Sequence, residues 1–181
     1  MVNLRKIDKF WLSGGWDESN LQANALDLKN LGFKAVIDME YSPQWPHPRG
    51  LKEILQSVGI EYENVQMHDW GGYKPEEFYA IMDHTQEVLK SWDRKYNKPN
   101  QKILVKCAMG ISRSSSVLIN YLCYRYNKSF MEVWDYVRKM EEGAIYPASP
   151  NSHFARMLDD RYPDEERRLT PHYNRSWYFG G

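Results

Sequence analysis

The chain is poor in cysteine, with only Cys107 and Cys123 in 181 residues, and the two stand in unlike surroundings. A disulfide framework is therefore not what holds it together, and a reducing compartment is expected. No stretch reaches the roughly eighteen consecutive apolar residues that a membrane span requires. The opening MVNLRKIDKFW has no apolar h-region of the signal-peptide kind, so the expected location is cytoplasmic. Charge of one sign is also lacking: 24 basic and 24 acidic residues cancel to a formal net charge of zero. That removes any general attraction to nucleic acid or to an anionic membrane, and affinity for a phosphate has to be local. No cluster of His, Cys and Asp has metal-ligand spacing; neither a metal nor another cofactor is expected.

What is present suits one domain with a full core: 42% hydrophobic, 27% charged and 14% aromatic residues. Residues 10–12 read as a short strand turning at Ser13-Gly14-Gly15. Asp17 or Ser19 can cap a helix with apolar Leu21, Ala25, Leu28 and Leu31, stopped by Gly32. Residues 34–39 read as a strand, Leu51, Ile54 and Leu55 as a short helix ended by Gly59, and residues 60–67 as a further strand. Pro75, Glu76 and Glu77 begin a long helix whose core face is Phe78, Ile81, Met82, Thr85, Val88 and Trp92. After the strand at 102–106 and a helix at 114–126, Ser129 and Glu132 form a capping box for a helix with Phe130, Val133, Trp134, Val137 and Met140 inward. A last short helix carries Phe154, Met157 and Leu158, with Pro150 near its start. This alternation predicts an α/β fold, a central, mostly parallel twisted sheet of four to five strands flanked by helices.

The chain is organised around residues 102–116, KILVKCAMGISRSSS, where an apolar strand meets a helix through one loop. Cys107 and Arg113 bracket five residues, and Gly110 stands midway, where a tight turn needs a residue free to take positive φ. The amides of Ala108, Met109, Gly110, Ile111, Ser112 and Arg113 would then converge at the helix start, an anion nest with the helix dipole behind it. Arg113 adds a planar fork matched to two phosphoryl oxygens. A thiol beside a guanidinium at a helix N-terminus is a nucleophile in waiting, directly beneath a bound phosphorus. The Cys-x5-Arg spacing alone is a weak signal. The preceding strand, the internal glycine, the following hydroxyl and the amphipathic helix together make it specific. Cys123, inside an apolar run, reads as core.

KCAMGISRSSS resembles the signature loop of the cysteine-dependent protein phosphatases, and its ISRS ending is most similar to the dual-specificity branch. The resemblance covers roughly residues 5–160. It implies a dual-specificity phosphatase-like fold and a phosphocysteine intermediate, with Cys107 as nucleophile, Arg113 as phosphate-binding arginine and Ser114 as the hydroxyl that stabilises the departing thiolate. Where the family usually has histidine before the cysteine, this chain has Lys106. Either its charge favours the thiolate, or it is an exposed strand-end lysine whose side chain alternates away from Cys107.

The chemistry also needs a group that protonates the leaving oxygen and later takes a proton from water. The resemblance implies that role for Asp69, on the glycine-flanked loop HDWGG; as a plain residue it is a turn former or an anion near a helix start. His68 reads as a loop side chain, and nothing is expected to converge on His84. Trp70 and the proline-rich YSPQWPHPRG at 41–50, with Trp45, His47 and Arg49, are candidates for a substrate rim at the sheet edge where α/β proteins bind ligands. The other reading of 41–50 is a stiff surface loop with Trp45 against the core. Asn151 either braces the phosphate loop, as the resemblance implies, or is an N-cap only.

Ala108, Met109 and Ile111 add no lysine to the loop, which disfavours phosphoinositides and RNA 5′ ends and leaves phosphoproteins, on phosphotyrosine and phosphoserine/threonine, as the implied substrates. Two other classes stand beside this: a phosphate-binding pseudophosphatase that has lost turnover, and a scaffold working through its tail. The expected division is a catalytic domain at 1–160 and a charged, aromatic tail at 161–181. The tail, with Tyr162, Tyr173, Trp177, Tyr178 and Phe179, is expected to lie against the domain or a partner.

Overall fold

The computed structural model describes residues 3–16, 18–40 and 50–169. Five strands form one sheet: β1 (Arg5–Ile7), β2 (Phe10–Ser13), β3 (Phe33–Asp38), β4 (Glu61–Asn64) and β5 (Lys102–Lys106). Their order is β1-β2-β5-β3-β4, parallel throughout except for the β1–β2 hairpin. The strand that leads into the Cys107 loop is thus central, with Leu104 level with Trp11 on one side and Val36 on the other. Its apolar run suits a strand covered on both faces.

Strand alternation divides the core into two layers. Ile103, Val105 and Cys107 face the layer built with α3 (Pro75–Lys95), α4 (Arg113–Tyr126), α5 (Phe130–Met140) and α6 (Ser152–Arg161). Leu104 faces the layer of α1 (Leu21–Asn30) and α2 (Leu51–Ser57). The helices begin and end for local reasons. Pro75 opens α3 with Glu76 and Glu77 in its first turn and Arg94 and Lys95 in its last, charges that complement the helix dipole. Asn127 closes α4 in the left-handed region, and the Ser129–Glu132 capping box opens α5. A short α7 (Glu165–Leu169) follows. No helix among the described residues is long and apolar enough to cross a membrane.

The architecture is the expected one, with corrections in detail. β1 was not anticipated, because three residues are too few to show a period. The cap of α1 is Asn20 and not Ser19. A 3-10 turn at Glu18–Asn20 brings Asn20 to the entry, where it accepts from the Ala23 N–H, while Asp17 lies outside the described residues. The strand expected at 60–67 is shorter, since β4 is the sheet edge and the chain leaves it after Asn64. Met140, the last residue of α5, is not inward but partly exposed, its sulfur accepting from the Asp8 N–H at 3.2 Å. Leu31, past the end of α1, is also half exposed. His84 meets Glu63 at 3.2 Å across the surface of α3.

The helix ahead of residue 161 continues through it: Arg161 pairs with Asp83, and Tyr162 packs on the core with its carbonyl accepting from Phe130. The remaining aromatic tail residues, Tyr173, Trp177, Tyr178 and Phe179, lie outside the described residues, as do Trp45, His47 and Arg49.

Candidate active site

The loop from Cys107 to the start of α4 has its carbonyls held from outside. Ala108 O accepts from Gly15 N at 2.7 Å, Met109 O from Asn3 Nδ2 at 3.3 Å, and Gly110 O from Arg5 Nη2 at 2.6 Å. Ile111 O accepts from Ser149 N at 2.9 Å and from Ser115 Oγ, and Ser112 O from the N–H and hydroxyl of Ser116. In a trans peptide the carbonyl and the next N–H point opposite ways. Tying the carbonyls of Ala108 to Ser112 outward therefore turns the next five amides to the inner side. The Gly110 N–H lies 3.2 Å from Cys107 Sγ, and the amides of Met109, Ile111 and Ser112 have no acceptor among the described residues.

Cys107 is only 2% exposed, with its sulfur 3.3 Å from Ser114 Oγ. Arg113 is buried; its Nη1 donates to Met67 O at 3.1 Å, and its buried Nε has no partner among the described residues. Free amides, an unspent guanidinium donor and a thiol thus lie together on the loop that opens α4, an arrangement suited to a tetrahedral oxyanion. Cys123 is core, as expected, and burial pushes its thiol pKa up.

Gly110 has φ +71, and a Cβ there would come 2.5 Å from the Ser13 carbonyl carbon and 2.6 Å from Gly14 N, both backbone. Gly110→Ala is expected to destabilise the protein by at least about 1 kcal/mol and to weaken oxyanion binding with it. Thermal unfolding and tungstate titration of the variant check both effects.

Asp69 lies in the loop between β4 and α3 and is exposed. It is brought to the phosphate loop by Asn151, whose Nδ2 donates to Asp69 Oδ1 at 3.0 Å while its backbone N–H donates to Ser112 Oγ at 3.0 Å. Asn151 also caps α6, accepting from Phe154 N. Both readings of this residue hold together, with one correction: its side chain reaches Asp69, and it is the main chain that braces the loop. Pro150 stands one residue before this cap, outside the helix. Trp70 is 55% exposed and meets the His68 ring at a tilt, 4.9 Å between ring centroids. The loop is closed by the His68 N–H donating to the Tyr73 hydroxyl, and burial raises the Tyr73 phenol pKa.

Lys106 corrects the exposed reading. Alternation does point it away from Cys107, but into the opposite layer, where it is 1% exposed. Its ammonium pairs with Glu40 and with Asp38 at 3.3 Å, and lies 4.9 Å from the centre of the Trp16 ring. Asp38 is itself buried and accepts from the Tyr62 hydroxyl at 2.9 Å; burial and then the Asp38 carboxylate raise the Tyr62 pKa strongly. The parallel register sets Asp38 level with Lys106, which the lysine's own neighbours in sequence do not reveal. Its charge is thus spent on carboxylates across the sheet from the thiol. Lys106→Met breaks a buried ion pair and is expected to cost about 3 kcal/mol, read by urea denaturation, with Asp38→Asn added to the variant restoring part of the loss.

Sequence reasoning missed Asn3, Arg5 and Glu141. Arg5 pairs with buried Glu141, which also accepts from Ala148 N, and Asn3 joins Met109 O to Tyr146 O. Nothing local marks these residues, since their partners lie across the fold.

Residues 18–162 match the family described as dual specificity phosphatase, catalytic domain. The chain belongs to that family, as the resemblance at residues 102–116 implied. Human dual specificity protein phosphatase 26 is 29% identical over 153 residues, covering 83% of this chain and 64% of the relative, so the match spans less than two thirds of that protein. Among solved structures, the Cydia pomonella PTP-2 phosphatase superimposes with a TM-score of 0.63 at 15% identity, covering 88% of this chain and 90% of that one. PTPMT1 in complex with PI(5)P superimposes with a TM-score of 0.63 at 17% identity, covering 92% and 98%. At these identities the likeness is one of fold.

Proposed function

We propose that the chain hydrolyses phosphomonoesters on phosphoproteins, both phosphotyrosine and phosphoserine/threonine, through a phosphocysteine intermediate. The observation that carries this reading is the phosphate loop itself, whose carbonyls are tied outward so that its amides turn inward, with the Gly110 N–H on Cys107 Sγ and a buried Arg113 Nε left to donate.

In the first step the Cys107 thiolate forms the S–P bond as the P–O bond to the substrate breaks, and Asp69 gives its proton to the leaving oxygen. The amides of residues 108–113 and the Arg113 fork hold the equatorial oxygens as charge shifts. In the second step water attacks phosphorus, its proton passes to the Asp69 carboxylate, and the S–P bond breaks. Ser114 Oγ, 3.3 Å from the sulfur, donates to the thiolate as it leaves. The thiolate supplies the nucleophile, so no metal enters these steps.

Three observations support an enzyme over a binding module. Asp69 is tethered to the loop through Asn151, Ser114 touches the sulfur, and Lys106 is neutralised by Asp38 and Glu40 away from the thiol. The substrate class rests on the loop side chains: Ala108, Met109 and Ile111 are neutral, and Met109 is 55% exposed. Such a surface suits one phosphate on an otherwise neutral residue better than a polyanionic inositol head or a triphosphate. The protein-phosphatase name of its human relative agrees. Trp70, with the 41–50 segment, would form the rim, and a reducing cytoplasm would keep the thiol active. The domain proper would end near residue 160, leaving the tail for docking to the body or a partner.

The test is phosphate release from phosphotyrosine and phosphoserine peptides and from a soluble inositol phosphate, in reducing buffer with a chelator. Turnover of the peptides is expected. A strict preference for the inositol phosphate would overturn the substrate assignment, and an inert protein that still binds tungstate would overturn the enzyme.

A further inference from the structure

We propose that Arg5, fixed by Glu141, is a positioning residue that latches the Gly110–Ile111 peptide in the orientation the phosphate site requires. The proposal deepens the phosphatase reading and rests on it for turnover, though its effect on oxyanion binding stands independently.

The Gly110–Ile111 peptide is the joint of the loop most free to turn. Gly110 sits at φ +71, and glycine has access to far more of backbone space than any other residue. Rotating that peptide by about half a turn would reverse its carbonyl and its N–H, since the two are fixed on opposite sides of one plane. The Ile111 N–H would leave the cradle and the Gly110 oxygen would enter it. A donor to the phosphate would become an acceptor that repels it. The bond that opposes this rotation is Arg5 Nη2 to Gly110 O, at 2.6 Å.

Arg5 is itself held at each of its nitrogens. Nη1 donates to Asn3 O at 2.9 Å, and Nε donates to Glu141, whose side chain is only 2% exposed. The other Glu141 oxygen accepts from Ala148 N, just ahead of the Ser149 N–H that holds Ile111 O. Three acceptors in one plane are what a guanidinium fork can meet and a lysine cannot. Asn3 extends the latch to the preceding peptide, because Nδ2 on Met109 O turns the Gly110 N–H toward Cys107 Sγ. Asn3 and Arg5 both precede the segment, 18–162, that matches the family. An edge strand outside that segment thus sets the polarity of the site.

The experiment uses the full chain and tungstate as the probe, with aryl phosphate turnover and thermal unfolding measured alongside. Arg5→Lys keeps a charge against Glu141 but loses the fork. The pair Arg5→Met with Glu141→Gln removes both charges and so avoids a buried orphan. Each is expected to stay folded and to lose roughly 10²-fold in kcat, the scale on which losing one oxyanion donor acts, with a parallel loss of tungstate affinity. Lys9→Met, which frees β1's neighbour from Asp93 without touching the loop, is the control for plain structural loosening. It is expected to lower the unfolding temperature and leave tungstate affinity alone. Wild-type tungstate affinity and kcat in both Arg5 variants would overturn the latch while leaving the phosphatase reading intact. If the wild type binds tungstate but turns nothing over, the phosphatase reading fails and the latch is judged on tungstate affinity alone.

Discussion

Replacing Cys107 with serine is expected to stop turnover while leaving the phosphate cradle in place. The reason lies in one atom. A serine hydroxyl ionises far less readily than a thiol, so the variant presents no nucleophile at neutral pH, and no other side chain stands where the sulfur does. Losing a nucleophile elsewhere costs about 10⁶-fold in kcat, and a fall of that order to the background rate is the expected result with phosphotyrosine peptide. Binding should survive, because the loop carbonyls are tied by Gly15, Asn3, Arg5 and Ser149 and Arg113 is held by Met67 O, and none of these bonds involves the thiol. Tungstate affinity in Cys107→Ser should therefore match that of the wild type. Retained turnover in this variant would remove the phosphocysteine intermediate altogether.

Asp69→Asn carries the second large effect, and here the shape of the change matters as much as its size. Asparagine keeps an oxygen that can accept from Asn151 Nδ2, so the loop should hold its position. It cannot give or take the proton. Losing a general acid costs about 10²- to 10⁴-fold, and the loss should follow the leaving group: large for a phosphoserine peptide or phenyl phosphate, small for an aryl phosphate whose phenolate leaves unaided. Unchanged leaving-group sensitivity would return Asp69 to a turn former.

These two expectations depend on different parts of the molecule. The Cys107 result tests the loop between β5 and α4, whose turn and helix start are local but whose carbonyls are held from across the fold. The Asp69 result tests an approach between segments 82 residues apart, Asp69 and Asn151, on the far side of that loop. Agreement of both would mean that the β4–α3 loop acts with the phosphate loop as one site.

What the sequence determined by itself is what short range decides. The apolar run at 102–106 sets a buried central strand, Gly110 sets the turn at positive φ, and the Cys-x5-Arg spacing puts thiol and guanidinium at one helix start. Alternation even gave the direction of Lys106, away from Cys107. What alternation cannot say is what waits on the other side. Asp38 stands level with Lys106 only because β3 pairs with β5 in parallel register, and that pairing makes a buried ion pair of a lysine that sequence left as either an aid to the thiolate or an exposed strand end. Arg5 and Gly110 are 105 residues apart, so no spacing rule links them. Glu141 and Asn151 likewise acquire their partners only when α5 and α6 pack beside the loop. The local chemistry of the site is written in consecutive residues, because backbone turns and helix starts are short-range events. The polarity of its amides and the reach of its acid were decided by the tertiary structure, because each depends on hydrogen bonds that only the packed sheet and helices bring within distance.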